Sequence, residues 1–166
     1  VAAASPNTYL GESALWLLAD AGEAAGRWPD VVHALGAITR LAGPSQRLAL
    51  AHLRLGRASV AVGDTAAARR AFSTVYYGHP ITSEAAEAEA ELTKLKAQPV
   101  TVTGAVELDR AEELFRGRRY GDARRAYDRL AGRVSPEDAA LVELRRAECD
   151  FHLRRFEQAR SALAEY

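Results

Sequence analysis

"GDTAAARRAF", residues 63–72, places a Gly-Asp turn before an Ala-rich segment that ends on an aromatic ring. Nearly the same phrase returns as "RYGDARRAYDRL" at 119–130 and as "RFEQARSALAEY" at 155–166, and a looser copy is "GRWPDVVHALGAI" at 26–38. Apolar and small residues within each copy fall three, four or seven positions apart, which is one face of an α-helix. The recurrence therefore indicates a helical repeat.

Alignment of the four copies predicts two helices per repeat, which we call the first helix and the second helix. The first helix has a large slot and a small slot, filled by Trp16, Leu53, Leu108 and Leu144 and by Ala19, Gly56, Ala111 and Ala147. The second helix opens on Trp28, Thr65, Tyr120 and Phe156 and carries Leu35, Phe72, Tyr127 and Leu163 at its large slot. The first and second copies lie 37 residues apart and the third and fourth 36, the length of one helix-turn-helix unit, whereas the second and third lie 55 apart. Small residues let two antiparallel helices approach closely, and we expect the large residues to fill the space between repeats.

Capping residues and prolines mark where these helices are expected to begin and end. Side chains that can cap a helix N-terminus precede four predicted helices: Ser45, Asp64, Ser83 and Ser135. Prolines stand where second helices must stop: Pro44, Pro80 and Pro136. Between the second and third copies lies a surplus, a helix-forming "SEAAEAEAELTKLKAQ" followed by "PVTVTG". We therefore predict two helical regions, residues 1–97 and 105–166, joined by a linker at 98–104, with about seven helices and no sheet.

Two segments carry a family resemblance, "LGRASVAVGDTAAARRAFSTVYYGHP" at 55–80 and "AEELFRGRRYGDARRAYDRLAGRVSP" at 111–136. A small residue, an aromatic at the turn, an alanine, a large residue and a closing proline follow one another as they do in the tetratricopeptide repeat. This chain departs from that family at the last position of the second helix, where large residues replace a small one. The resemblance implies an all-α fold, a right-handed superhelical stack of antiparallel helix pairs.

A narrower resemblance is to the non-catalytic superhelical region of soluble lytic transglycosylases, the periplasmic enzymes that cleave peptidoglycan without water. It rests on "ALWLLADAGEAAGRW", "LALAHLRLGRASVAVGDTAAARRAF" and "YYGHPITSEAAEAEAELTKL". The catalytic domain of that family carries a Glu-Ser pair followed by a Gly-Leu-Met-Gln stretch, and this chain contains no Met. Glu12-Ser13 lacks the surrounding motif, and a two-residue match arises easily by chance. The sequence therefore predicts no catalytic residue and no enzyme activity within the chain.

The composition and spacing of charged, apolar, histidine and cysteine residues limit which partners and which kinds of site the chain can have. Twenty-two basic residues balance 22 acidic ones, so no overall positive charge favours nucleic acid. No apolar run reaches the roughly 20 residues of a membrane span. The four histidines lie in different repeats without metal-ligand spacing, and Cys149 is expected to be a structural thiol. Arginine-rich phrases such as those at Arg69 and Arg124 are expected to form a solvated outer face. We predict no cofactor and no metal.

The concave surface formed by the first helices is the predicted partner site, because stacked repeats present an extended groove there. Its candidate residues are Asp20, Arg54, Arg57, Asp109, Glu112, Phe115, Arg145, Glu148 and Phe151. The family resemblance implies a scaffold in the periplasm or cell envelope, which contacts protein partners or an adjoining catalytic domain and reaches peptidoglycan only indirectly. A free-standing adaptor that binds protein partners in the same groove remains the alternative, and a cytoplasmic location remains open.

Overall fold

The structure is a computed structural model that describes residues 9–41, 47–100 and 102–164. Within these ranges all regular structure is helical, as predicted, and there is no β-strand. Nine helices are present in the described part of the chain, so the prediction of about seven was wrong. They are α1 Tyr9–Ala24, α2 Trp28–Ile38, α3 Leu48–Ala61, α4 Thr65–Gly78, α5 Ser83–Lys94, α6 Gly104–Arg116, α7 Tyr120–Leu130, α8 Pro136–His152 and α9 Phe156–Ala164.

The residues aligned at the start of each second helix are the first residues of α2, α4, α7 and α9. All four starts follow a tight turn in which the residue two positions before the helix has a positive φ: Gly26, Gly63, Arg118 and Arg154. Asp64 caps α4 as predicted, since its Oδ1 accepts a hydrogen bond from Ala67 N at 2.8 Å. The turn and the cap are local signals, and they explain why the sequence located these helix starts well.

The other predicted caps had different outcomes. Ser135 caps α8, its Oγ accepting from Asp138 N at 3.1 Å. Ser83 was wrongly predicted as a cap, because it is the first helical residue of α5 and Thr82 occupies the cap position without a side-chain hydrogen bond. Ser45, with Pro44, lies outside the described residues, as does Tyr166.

The chain divides into two compact units, residues 1–100 and 101–166. In the first unit each helix from α1 to α5 packs on the next, and α3 also contacts α5. Its core has two clusters, one around Leu35 between α1, α2 and α3, and one around Phe72 between α3, α4 and α5. In the second unit α6, α7, α8 and α9 pack consecutively, and the buried Tyr127 belongs to a core cluster formed by α6, α7 and α8.

α5 lies where a further first helix would follow α4, but no second helix comes after it. The chain instead runs through residues 97–100, and Val100 N donates a hydrogen bond to Ser73 Oγ on α4 at 2.8 Å. This segment accounts for the long spacing between the second and third copies of the repeat.

Candidate functional site

All nine predicted site residues lie on first helices, in two groups that belong to separate units. In the first unit Asp20 is on α1, and Arg54 and Arg57 are on α3. The second unit holds the other six, with three on α6 and three on α8: Asp109, Glu112, Phe115, Arg145, Glu148 and Phe151. We describe the two groups separately.

Arg54 joins α3 to α1 through two carboxylates. Its Nη2 donates to Asp20 Oδ1 at 2.7 Å and its Nε donates to Glu23 Oε1 at 2.9 Å. The arginine side chain is only 14% exposed, and the guanidinium also lies over the ring of Trp16, 5.4 Å from its centroid. Burial alone lowers the pKa of Arg54, but the hydrogen bonds to Glu23 and Asp20 outweigh it and the net pKa is raised. The group therefore stays a cation within a partly dry contact.

Arg57, one turn further along α3, reaches forward to α5. Its Nη2 donates to Glu87 Oε2 at 2.8 Å and its Nε donates to Glu91 Oε1 at 3.2 Å. Lys94 Nζ shares Glu91 Oε1 at 3.2 Å. The Arg57 side chain is more exposed than that of Arg54, so this contact is more strongly screened by solvent and salt.

In the second unit Arg145 on α8 makes the most extensive contact of the set. Its Nε and Nη2 meet the two carboxylate oxygens of Glu112 on α6 at 2.9 and 3.3 Å, a forked arrangement. Its Nη1 donates to Glu148 Oε2 at 2.7 Å, and its guanidinium carbon lies 4.6 Å from the centroid of Phe115. The hydrogen bonds that Arg145 donates, first to Glu112 and then to Glu148, raise its pKa above its ordinary range.

Glu112 also accepts a hydrogen bond that sequence analysis missed. The hydroxyl of Tyr127, from the large slot of α7, donates to Glu112 Oε1 at 2.6 Å. Burial first, and then the nearby Glu112 carboxylate, raise the pKa of Tyr127 well above its usual value. A neutral donor and a cation therefore fix the same carboxylate, and Glu112 is oriented by both α7 and α8.

The contacts of Arg54, Arg57 and Arg145 share one feature. Each of them joins a first helix to the next first helix. The paired residues lie between 30 and 34 positions apart in the chain, close to one repeat length. Arginines predicted to face a partner therefore connect successive repeats within the protein. The missed acids are Glu23, Glu87 and Glu91, and the signal for them is an acid about one repeat away from each arginine.

The remaining predicted site residues are more accessible. Asp109 on α6 is exposed, and Phe151 on α8 is 57% exposed. Phe151 meets Phe156 at the start of α9 in an edge-to-face contact, with ring centroids 5.6 Å apart. An exposed phenylalanine beside a second exposed ring is an apolar surface that a partner can cover.

The prediction of a solvated outer face was wrong for Arg124, whose side chain forms ion pairs within the protein. Its Nε donates to Asp150 Oδ2 on α8 at 2.9 Å, and it also pairs with Asp128. Asp150 is 4% exposed and Arg146 reaches Asp128 at 3.0 Å, so α7 and α8 share a network of ion pairs. In contrast Arg69 on α4 is exposed. Arg124 differs because a carboxylate from the next first helix lies beside it.

Glu12 and Cys149 are residue types that occur in catalytic sites, but here their side chains take part in packing and hydrogen bonding. Glu12 accepts a hydrogen bond from Trp16 Nε1 at 3.2 Å. Cys149 is fully buried, and burial raises the pKa of its thiol to about 12, which suppresses the thiolate. Within the ranges that the structure describes, no cluster of three or more His, Cys, Asp or Glu residues could hold a metal ion, and no helix is long and apolar enough to cross a membrane.

Comparison of the chain with models of known protein families, with curated proteins and with solved structures finds no match. The resemblances to the tetratricopeptide repeat and to lytic transglycosylases therefore stay predictions based on the residues quoted above.

Proposed function

We propose that this chain is a non-catalytic scaffold for protein interactions, built from tetratricopeptide-like repeats that stack as a right-handed superhelix. The observation that supports it best is the set of arginine contacts at Arg54, Arg57 and Arg145. Each links one first helix to the next, and a surface whose helices are held in fixed register suits recognition of a partner better than chemistry on a substrate.

The same proposal extends to the protein that contains the chain. We infer a larger cell-envelope protein such as a soluble lytic transglycosylase, in which this region positions an adjoining catalytic domain on the glycan. Support comes from the three segments that resemble the superhelical region of those enzymes. Contact with peptidoglycan is then indirect, and neither nucleic acid nor a cofactor takes part.

The rival is a free-standing adaptor that binds protein partners through its first helices. The exposed Asp109 and Phe151 would meet the partner in this case as well. Sequencing of the open reading frame on both sides of the chain separates the two. A downstream domain with the Glu-Ser and Gly-Leu-Met-Gln elements supports the transglycosylase assignment, and a stop codon soon after Tyr166 removes it.

Absence of catalysis has a direct test. The purified chain, incubated with purified sacculi, is expected to release no muropeptides, with a complete lytic transglycosylase as the positive control. Turnover by the chain itself would overturn the proposal that it is non-catalytic.

Partner binding through the first helices is tested by photo-crosslinking in cells. A photoreactive amino acid replaces Asp109 on α6 in one variant and Arg125 on α7 in a matched control, both exposed positions of the second unit. We expect a discrete adduct from position 109 and none from position 125. Equal adducts from both positions, or none from 109, would contradict a partner site on the first helices.

A further inference from the structure

The surface of α8 and α9 repeats a constellation found on α6 and α7. Glu112 and Phe115 on α6 correspond to Glu148 and Phe151 on α8, each pair three positions apart and the second pair 36 residues after the first. The ring that opens the following helix is Tyr120 in one case and Phe156 in the other. Phe115 and Tyr120 meet edge to face with centroids 5.5 Å apart, as Phe151 and Phe156 do at 5.6 Å.

The first constellation is occupied by α8. The Arg145 guanidinium forks onto Glu112 and lies over the Phe115 ring. Seven residues later, two helical turns along the same face, the His152 ring stacks on Tyr120 with centroids 4.1 Å apart and planes 9° from parallel. Residues of α8 on this face are small or apolar where they join the core around Tyr127: Val142 and Cys149.

The second constellation carries the same groups but is exposed. Phe151 is 57% exposed, Phe156 53% and Leu163 49%. Tyr127, which fills in α7 the slot that Leu163 fills in α9, is 0% exposed. Among the described helices of the second unit, α9 packs mainly on α8, and none of them lies over this face as α8 lies over α6 and α7.

Charge and shape together specify what would cover the face. The Glu148 side chain is 38% exposed, and its contact with Arg145 uses a single carboxylate oxygen, Oε2. Glu148 and Phe151 thus offer a carboxylate and a ring at the spacing that holds a guanidinium on α6. Phe156 offers a flat surface to a residue two turns further along the covering helix. Leu163 offers an apolar surface that suits small side chains.

We propose that the α8/α9 face binds an amphipathic helix of a partner protein, which carries an arginine and, seven residues later, a planar ring, with small apolar side chains on the same face. The arginine pairs with Glu148 and lies over Phe151, and the ring stacks on Phe156. This deepens the proposed function and rests on it, because Glu148 and Phe151 belong to the predicted partner site on the first helices; it names the class of partner that this part of the site would bind.

The test uses a probe that already has this chemistry, the α8 segment itself. A fluorescein-labelled, side-chain-stapled peptide of residues 135–154, with Cys149→Ser to prevent disulfide formation, is titrated with the full chain and followed by anisotropy. We expect saturable binding. Replacing arginine in the peptide (Arg145→Ala), or introducing Glu148→Lys or Phe151→Ala in the protein, is expected to weaken binding by about tenfold or more.

Glu89→Lys is the matched control, because it makes the same charge change at an exposed position of α5 in the first unit. Binding by this variant is expected to stay within about twofold of the wild type, since surface charges distant from a contact have little effect. A charge swap completes the design, with Glu148→Arg in the protein and Arg145→Glu in the peptide. Each change alone is expected to abolish binding, and the two together to restore it.

Two results would overturn the proposal. One is the absence of saturable binding by the wild-type chain, or binding that Glu148→Lys leaves unchanged while circular dichroism shows all variants to be equally helical. The other is concentration-dependent self-association of the chain in sedimentation equilibrium that Phe151→Ala abolishes, which would make a second copy the occupant. Neither result bears on the sacculus assay or on the crosslink at position 109, so failure here is distinguishable from failure of the proposed function.

Discussion

Arg54, Arg57 and Arg145 show what can be predicted for a single residue and what cannot. Alignment of the repeats placed each of them on a first helix, because position along a helix follows from local periodicity. Their partners could not be predicted in the same way. Each carboxylate on the neighbouring first helix lies 30–34 positions away, and whether it comes within hydrogen-bond distance depends on the distance and tilt between two helices. The sequence therefore located the arginines on the right helices, but their contacts with neighbouring repeats were missed.

His52 and His79 predict how stability depends on pH. Burial lowers the pKa of both below the model-compound value of 6.5, and for His52 the charge of His79 adds to this. Below about pH 6.5 the unfolded chain then binds more protons than the folded chain, so the free energy of unfolding falls as pH falls through the folded-state pKa values. We expect the denaturation midpoint of the first unit, followed by Trp fluorescence, to be constant above pH 7 and to decrease below pH 6.5.

His52→Gln removes one of the two groups and is expected to make that decrease shallower. Its midpoint at pH 8 serves as the reference for any change in packing caused by the substitution itself. A pH dependence as steep as that of the wild type would contradict the assignment to His52, and a midpoint that rises below pH 6.5 would contradict the direction of both shifts.

Packing between two elements is clearest where α3 meets α4. Gly56 fills the small slot of α3, and a Cβ atom built there would lie 2.3 Å from the Phe72 ring, well inside van der Waals contact. Phe72 is 0% exposed and belongs to the cluster with Leu53 and Leu92, so its ring has little room to move. The small slot was predicted from sequence because it recurs in all four copies. The particular pair of atoms in contact requires the helix–helix distance.

Gly56→Ala is therefore expected to destabilise the first unit. Alanine favours the helix by up to about 1 kcal/mol over glycine, but overpacking a buried ring costs about 1–3 kcal/mol, so the net effect is a loss of stability. Gly78→Ala is the control, because Gly78 is also on a helix of this unit and nothing lies within 4 Å of the added Cβ. Chemical denaturation measures both, and a Gly56→Ala variant as stable as Gly78→Ala would contradict the close contact.

At the scale of the whole molecule, each unit has its own hydrophobic core among the residues that the structure describes. The clusters around Leu35 and Phe72 belong to residues 1–100, and the cluster around Tyr127 belongs to residues 101–166. Each unit also contains a different intrinsic probe of unfolding. The chain has two tryptophans, Trp16 and Trp28, both in the first unit, and one cysteine, Cys149, in the second.

We expect these probes to report the two units separately. The Cys149 thiol is buried and its pKa is raised to about 12, so at pH 8 a thiol reagent should label it only when the second unit opens. Gly56→Ala should lower the denaturant midpoint seen by Trp fluorescence and leave the midpoint of Cys149 labelling unchanged. Leu130→Ala, in the core of the second unit, should do the reverse. Equal shifts of both midpoints in either variant would show instead that the units unfold together.

The amino-acid sequence by itself determined that the chain is helical, where second helices begin and which slots hold small or large residues. Those features depend on periodicity, caps and turns, which act over a few residues. Only the tertiary structure decided which carboxylate meets Arg145, that Arg124 pairs with a buried Asp150, and that Leu163 stays exposed while Tyr127 in the equivalent slot is covered. Burial and ion pairing depend on which helix packs over a residue, and that helix belongs to another part of the chain.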